Sequence, residues 1–177
     1  MSAGRAAHLI LVGLPGVGKS TVGAGVAALL GIPFLDFDVE IERRAGMSVA
    51  EIFRVHGEAH FRGLERALTE ELATAPPMVL APGGGWMSQP GLAALLRPPG
   101  RIIYLAASPA AVARRLGPAS GARPLLAGGE PVERLAALLA TREAAYRGAD
   151  VVLNTELIDV QQVIHAVGEL APTSGGR

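Results

Sequence analysis

The stretch 13-GLPGVGKST-21 decides the fold of this chain. It follows the apolar run 8-HLILVG-13 and precedes 20-STVGAGVAALL-30, whose apolar residues recur with a helical period. A glycine-rich loop between a strand and a helix binds phosphate oxygens, because its N–H groups and the helix amino terminus converge on one place. The loop fits G-x-x-x-x-G-K-[ST] in the context that the motif requires, which predicts a nucleoside triphosphate site.

The loop residues are assigned separate tasks by their chemistry. Lys19 is the only lysine in the chain, and its ammonium is expected between the β- and γ-phosphates. The hydroxyl of Ser20 can bind Mg²⁺. The predicted nucleotide-binding residues of the loop are Gly16, Val17, Gly18, Lys19, Ser20 and Thr21.

The composition favours one globular domain over residues 1–177. Half of the 177 residues are hydrophobic, which is enough to form a single core. The 16 basic side chains balance 16 acidic ones, which argues against nucleic-acid binding. There is no cysteine for a disulfide frame or a thiolate nucleophile, and no run approaches the roughly 20 apolar residues of a membrane-spanning helix. We expect a cytoplasmic monomer that binds no membrane.

Short apolar runs alternate with segments of helical period along the whole chain. This alternation predicts an α/β fold, in which a five-stranded parallel sheet lies between two layers of helices. The predicted strands are 8-HLILVG-13, 33-PFLDFD-38, 78-MVLAP-82, 101-RIIYLA-106 and 150-DVVLN-154.

Two segments exceed what the crossovers between strands need. Residues 39–74 read as a helical insertion that could hold a second substrate, with Gly46 ending its first helix and 48-SVAE-51 starting the next as a capping box. Residues 117–131 are rich in glycine and proline and predict a mobile lid. The tail 172–177 is expected to be frayed.

The acidic stretch 34-FLDFD-38 predicts the acceptor side of the site. Asp36 and Asp38 are two apart at the end of a predicted strand, so both should point to the side of the phosphate loop. Asp36 could hold Mg²⁺ through water, and Asp38 could orient an acceptor hydroxyl or receive its proton. The alternative is that Asp38 merely caps the following helix.

Six motifs in order make the chain resemble the shikimate kinase family over roughly residues 8–168. They are the phosphate loop, 35-LDFD-38, 51-EIFRVHGEAHFRGLE-65, 83-GGG-85, 123-RPLLAG-128 and 142-REAAY-146. The resemblance implies a P-loop kinase fold with an acceptor-binding helical insertion and a lid. It also implies transfer of the γ-phosphoryl group of ATP to the 3-hydroxyl of shikimate, in aromatic amino-acid biosynthesis.

The resemblance also implies an acceptor site. Asp38 would contact the ring hydroxyls, Arg62 and Arg142 would grip the carboxylate, and the backbone amides of Gly83, Gly84 and Gly85 would approach the substrate. An arginine fork matches a planar carboxylate with two parallel hydrogen bonds. The alternative is that both arginines lie on solvated helix faces, paired with Glu65 and Glu143.

In the lid, Arg123 is implied to meet the transferred phosphoryl group. Arg115 would stack on adenine, although Arg114 could take this place instead. The chain departs from the family pattern in placing Pro82 before the triple glycine and the bulky Trp86 after it.

Two other functions remain open at this stage. A kinase of the same fold could act on another hydroxy acid such as gluconate, but it should lack the FRGLE and REAAY arginines. A non-catalytic ligand-sensing domain would predict a fused DNA-binding segment, for which residues 1–7 are too short. The histidines offer no zinc site, since His56 and His60 lie four apart without a third ligand.

Overall fold

The computed structural model describes residues 7–117 and 130–171. Within these ranges five strands alternate with helices. The strands are β1 (Leu9–Val12), β2 (Phe34–Asp36), β3 (Val79–Ala81), β4 (Arg101–Ala106) and β5 (Val151–Asn154). The α-helices are α1 (Lys19–Leu30), α2 (Phe37–Ala45), α3 (Val49–His56), α4 (Glu58–Leu72), α5 (Leu92–Leu96), α6 (Pro109–Leu116), α7 (Pro131–Tyr146) and α8 (Val160–Glu169), with a 3₁₀ turn at Trp86–Ser88.

All five strands form one parallel sheet in the order β2-β3-β1-β4-β5. Strand β1 is central, and its Leu9 pairs with Val79 on one side and Arg101 on the other. The carboxyl ends of parallel strands meet at one edge of a sheet, where α/β proteins bind ligands. The loop after β1 therefore lies in the middle of that edge, and the predicted α/β fold is confirmed.

The sheet separates two apolar cores. Because side chains alternate along a strand, Leu9 and Leu11 of β1 pack into one core with residues of α1 and α8. Ile10 and Val12 pack into the other core, with residues of helices α2 to α5. Helices thus cover both faces and give the three layers expected for buried parallel strands.

Local signals end and start the helices between β2 and β3. Gly46 follows α2 in the left-handed region with a φ of 69°, which suits glycine. Ser48 then caps α3, since its hydroxyl accepts from the amide of Glu51 at 3.2 Å while the Glu51 carboxylate accepts from the amide of Ser48 at 2.8 Å. The predicted helix end and capping box are both confirmed.

Strand β2 is shorter than predicted. It ends at Asp36, whose Oδ1 accepts hydrogen bonds from the amides of Asp38 at 3.0 Å and Val39 at 3.3 Å. These bonds make Asp36 the amino-terminal cap of α2, and Asp38 lies in the first helical turn. The prediction that both carboxylates project from one strand is therefore wrong, as is the alternative that Asp38 is the cap.

No helix within residues 7–117 and 130–171 has the length and apolar character to span a bilayer. Arg123, most of the predicted lid and the predicted frayed tail lie outside the described residues.

Candidate active site

The phosphate loop lies between β1 and α1, with Lys19 as the first residue of α1. The Lys19 ammonium donates to the carbonyl oxygens of Gly13 at 2.9 Å and Leu14 at 3.1 Å. These contacts fold the side chain back over its own loop. The cation is therefore held at the amino terminus of α1, where the helix dipole also favours an anion.

Two positions of the loop require glycine for different reasons. A Cβ atom on Gly13 would lie 2.7 Å from the carbonyl oxygen of Leu105, so no larger residue fits against β4. Gly18 has a φ of 109°, and a Cβ there would meet nothing within 4 Å. At Gly18 the backbone conformation, and not crowding by the described residues, therefore selects glycine.

Ser20 and Asp36 bring two oxygen ligands together beside the loop. The Ser20 hydroxyl donates to Asp36 Oδ2 at 2.5 Å, while Oδ1 of the same carboxylate caps α2. Hard oxygen donors of this kind suit Mg²⁺, which usually takes one or two protein ligands and completes its shell with phosphate oxygens and water. The donor set therefore fits the predicted Mg²⁺ ligands.

A cleft of about 300 Å³ opens beside the phosphate loop. Arg115 on α6 crosses it, donating to the carbonyl of Val17 at 3.2 Å and to the hydroxyl and carbonyl of Thr155 at 2.9 and 2.5 Å. Arg114 is not among the residues that line it. The cleft is lined by Gly16, Val17, Gly18, Thr21, Val22, Arg115, Thr155, Ile158, Val160 and Val163.

The cleft can hold the nucleoside end of a nucleotide whose phosphates lie on the loop. Four of the predicted loop residues line it, and apolar side chains from α8 and the segment before it form the opposite wall. Arg115 lines this cleft and Arg114 does not. Thr155 was not predicted, because it meets Arg115 across 40 residues of sequence.

The three glycines after β3 form a floor on which charged side chains lie. A Cβ on Gly83 would stand 2.8 Å from Glu65 Oε1 and 3.4 Å from Asp38 Oδ1. A Cβ on Gly84 would stand 2.5 Å from Arg142 Nη1, and a Cβ on Gly85 would stand 2.6 Å from Arg62 Nη2. The missing side chains thus leave room for two carboxyl groups and two guanidinium groups.

The predicted acceptor residues therefore come together at one place. Asp38 on α2, Arg62 on α4 and Arg142 on α7 converge on the glycine floor from three helices. Acids lie over the first glycine and bases over the next two, so the floor is electrically polarised along its length. Such a pocket can hold a small molecule with a hydroxyl at one end and an anion at the other.

Glu65 is a member of this site whose burial the sequence did not reveal. Its side chain is fully buried, and Oε2 accepts from Arg62 Nη1 at 2.6 Å and from Gln89 Nε2 at 2.7 Å. Arg62 also donates to Glu58 at 3.1 Å. The Arg62–Glu65 pair exists, as the alternative suggested, but it lies under the pocket instead of on a solvated face.

Arg142 is paired differently. Its neighbour Glu143 pairs with Arg147 at 2.7 Å, so the expected pair between Arg142 and Glu143 is not formed. Within the described part of the chain, the buried atoms Arg142 Nη1 and Glu65 Oε1 have no hydrogen-bond partner. Buried polar groups are normally satisfied, and these two lie over the adjacent glycines Gly83 and Gly84.

The carboxyl group of Asp38 has a pKa close to neutrality. Partial desolvation by the surrounding protein raises this pKa to about 6, although the residue as a whole remains exposed. The negative charges of Asp36 and Glu65 add to the rise, and the ammonium of Lys19 opposes it. Burial likewise raises the pKa of Glu65, against the influence of Arg62. A carboxylate with a pKa near 6 is suited to accept a proton at neutral pH.

The unusual Trp86 does not enter the pocket. Its ring is fully buried and packs edge-on against Phe37, with ring centroids 6.4 Å apart. The indole N–H donates to the hydroxyl of Thr69 at 2.9 Å, which in turn donates to the carbonyl of Glu65 at 2.7 Å. Trp86 therefore supports the helix that carries Arg62 and Glu65 from below.

A phosphate loop and a polarised acceptor pocket at one edge of a parallel sheet define a P-loop kinase. The model of the family described as shikimate kinase matches residues 15–170. The chain therefore belongs to the shikimate kinase family, and the predicted family is confirmed.

Individual relatives agree with this membership. The chain is 47% identical to a shikimate kinase of Paracidovorax citrulli over 141 residues, covering 78% of this chain and 76% of the relative. It is 40% identical to one of Caldanaerobacter subterraneus over 160 residues, covering 90% and 93%. The solved shikimate kinase from Acinetobacter baumannii in complex with shikimate superposes with a TM-score of 0.86 at 33% identity, covering 97% of this chain and 96% of that one.

Proposed function

We propose that this chain transfers the γ-phosphoryl group of ATP to the 3-hydroxyl of shikimate, giving shikimate 3-phosphate and ADP. Family membership supports the reaction. The observation that carries the acceptor assignment is the glycine floor, where Asp38 lies at one end and Arg62 and Arg142 lie at the other. A ring with a carboxylate on one side and hydroxyls on the other matches this charge distribution.

The acceptor is oriented by its two ends. The guanidinium groups of Arg62 and Arg142 bind the carboxylate, because an arginine fork stays charged and offers parallel donors. Arg142 Nη1, which has no partner among the described residues, gains one in the complex. Amides of the glycine floor bind the ring from below, since Gly83, Gly84 and Gly85 donate to no other group among residues 7–117 and 130–171.

The reacting hydroxyl is placed against Asp38. As its oxygen forms a bond to the γ-phosphorus, the bond between that phosphorus and the bridging oxygen of ADP breaks, and the hydroxyl proton passes to the carboxylate. With a pKa of about 6, the Asp38 carboxylate is still mostly ionised at neutral pH. This pKa is also close to the working pH, which favours proton transfer. Most of the transfer in such a loose transition state depends on positioning and charge.

On the nucleotide side, the ammonium of Lys19 binds the β- and γ-phosphates, and the cleft crossed by Arg115 binds the adenosine. Ser20 and Asp36 are proposed to hold Mg²⁺, which neutralises charge on the phosphates when it is bound. The assignment of Arg123 to the phosphoryl group concerns a residue outside the described ranges.

The direct test is an ADP-release assay with the purified protein and each of shikimate, quinate and gluconate. ADP should form rapidly with shikimate and slowly or not at all with the other two. Faster turnover with gluconate would favour a kinase of another hydroxy acid. Tight binding of shikimate without ADP formation would favour a non-catalytic sensing domain.

Replacing Arg142 by leucine should weaken shikimate binding by about thirty- to a thousandfold, or roughly 2–4 kcal/mol, because a desolvated charge pair is broken. The KM for ATP should barely change. Arg147→Leu is the matched control, since Arg147 directly follows the same helix but pairs with Glu143 at the surface. Steady-state kinetics with both substrates measures the difference.

An analogue of shikimate with its carboxylate reduced to an alcohol completes this test. It should bind the wild type poorly and lose little more in the Arg142 variant. Equal losses for acid and alcohol would mean that Arg142 has a structural role only. Arg62→Leu is less clean, because it also removes the cation that faces the buried carboxylate of Glu65.

Replacing Gly84 by alanine should raise the KM for shikimate roughly tenfold to a hundredfold, the equivalent of losing one hydrogen bond to a charged group, because it displaces the Arg142 guanidinium that binds the carboxylate. The added Cβ would lie 2.5 Å from Arg142 Nη1, and the end of this flexible side chain can move aside without disturbing the fold. Gly63→Ala is the control, because a Cβ there meets nothing within 4 Å. An unchanged KM in the Gly84 variant would contradict the proposed floor.

A further inference from the structure

The two carboxylate oxygens of Glu65 lie in different surroundings. Oε2 accepts from Arg62 Nη1 at 2.6 Å and from Gln89 Nε2 at 2.7 Å. Oε1 is buried and has no hydrogen-bond partner within residues 7–117 and 130–171. A carboxylate oxygen can only accept hydrogen bonds, and a buried acceptor without a donor is unfavourable. Oε1 is therefore the half of this side chain that a bound molecule can satisfy.

Oε1 lies at the hydroxyl-binding end of the acceptor floor. A Cβ on Gly83 would stand 2.8 Å from this oxygen and 3.4 Å from Asp38 Oδ1, so the two carboxyl groups lie over the same glycine. Carboxylates this close repel each other, and a hydroxyl that donates to one of them reduces the repulsion. Shikimate carries more than one ring hydroxyl, so one can react at Asp38 while another donates to Glu65.

The pair with Arg62 does not by itself decide which oxygen of Glu65 faces the floor. The last torsion of a glutamate side chain is broad and nearly two-fold, so its two oxygens exchange places easily. Arg62 offers Nη1 to this carboxylate, while its Nη2 and Nε donate to Glu58 at 3.1 and 3.4 Å. A single donor of this kind leaves the carboxylate able to turn about the bond.

Gln89 supplies a second donor from a different segment. It follows the 3₁₀ turn that comes after the glycine floor, and its backbone amide donates to the carbonyl of Trp86 at 3.1 Å. The two donors hold Oε2 between them, which leaves Oε1 over Gly83. Burial raises the pKa of Glu65, but the hydrogen bonds from Arg62 and Gln89 favour the charged form, which accepts from a hydroxyl.

We propose that Gln89 is a positioning residue for the acceptor, whose side-chain amide holds Glu65 Oε2 so that Oε1 accepts a hydrogen bond from a ring hydroxyl of shikimate. The inference rests on the proposed function, because it concerns the same acceptor. Gln89 acts through Glu65 and needs no contact with either substrate. The reacting hydroxyl stays with Asp38, so Gln89 governs how tightly shikimate binds more than how fast the bound molecule reacts.

Gln89→Met tests this role, since methionine is of similar length but has no side-chain N–H group. Calorimetry should show that the variant binds shikimate roughly five- to thirtyfold more weakly, as expected when a hydrogen bond to a charged group is lost. The dissociation constant of ADP and kcat at saturating substrates should match those of Ser88→Ala. Ser88 is the matched control, because it directly precedes Gln89 and is exposed.

Analogues of shikimate that each lack one ring hydroxyl show whether Gln89 acts through the carboxylate. One of these analogues cannot donate to Glu65, and Gln89→Met should lose little further affinity for it. Equal losses for shikimate and for every such analogue would mean that Gln89 has a structural role only and would overturn the proposal. An unchanged affinity of Gln89→Met for shikimate would overturn it as well.

A second measurement needs no variant: the hydrogen exchange of side-chain amide signals in the wild type, followed by NMR. One N–H of Gln89 should exchange more slowly than those of Gln161, which is exposed. Exchange at the same rate would contradict the bond to Glu65. A wild type that does not bind shikimate would refute both this inference and the proposed function, whereas binding without ADP release would count against the reaction alone.

Discussion

Replacing Lys19 by alanine is expected to reduce kcat with ATP and shikimate by about a thousandfold or more, the usual effect of removing a charge that stabilises a transferring phosphoryl group. The fold should remain intact. The Lys19 ammonium donates to carbonyl oxygens of its own loop, and Gly13 keeps the hydroxyl of Tyr146 as a second donor. Initial rates and thermal unfolding of the two proteins measure both expectations.

Two controls sharpen this prediction. Lys19→Arg should not restore turnover, because the planar guanidinium differs in shape from a compact ammonium that must sit between two phosphates. Lys19 is also the only lysine, so an amine-selective reagent can modify only this side chain and the terminal amine. ATP should protect Lys19 from modification. Substantial turnover of Lys19→Ala would refute the assignment of the phosphate loop.

The strands of the sheet could be predicted from the sequence because each one is marked by the residues of its own short segment. Each strand is a short apolar run between turn residues, and the alternation with helices leaves few parallel arrangements. The error at β2 has a physical cause. In 34-FLDFD-38 the alternation of apolar and polar residues continues to Asp38. The carboxylate of Asp36, however, accepts hydrogen bonds from the amides of Asp38 and Val39 and so starts the helix early. Capping overrode periodicity at that point.

The candidate site could be predicted only in part. Arg62, Arg142 and the glycine run belong to short motifs, so their convergence was expected from the family resemblance. The burial of Glu65 depends on Trp86 and Gln89, which bond Thr69 and Glu65 of α4 from the segment after β3, and no local pattern in the sequence reports these contacts. The link from Tyr146 to Gly13 spans 133 residues and arises only when α7 packs against the sheet edge. The four-residue spacing of Arg142 and Tyr146 was the one available hint, since it places both on one helix face.

Replacing Asp38 by asparagine is expected to lower kcat by about a hundred- to ten-thousandfold, the range for loss of a positioned general base. The KM for ATP should change little, because the carboxylate faces the acceptor floor. The wild type should also lose kcat/KM as the pH falls through about 6, where Asp38 becomes protonated and can no longer accept a proton. This loss of kcat/KM at low pH, the acid limb of the pH profile, should be absent from the residual activity of Asp38→Asn.

Asp36→Asn separates this role from that of the neighbouring carboxylate. Asparagine is as good a helix cap as aspartate, so α2 should still begin at Phe37. The charge beside Ser20 is lost, however, and the variant should need more Mg²⁺ for half-maximal rate. It should retain the acid limb, moved to lower pH because the charge of Asp36 no longer raises the pKa of Asp38. Asp38→Asn should show the opposite pattern, with normal Mg²⁺ dependence and no limb. If the two variants shared one Mg²⁺ dependence and one pH profile, the carboxylates would act as a single charged unit, and the proposed division between metal binding and proton acceptance would be wrong.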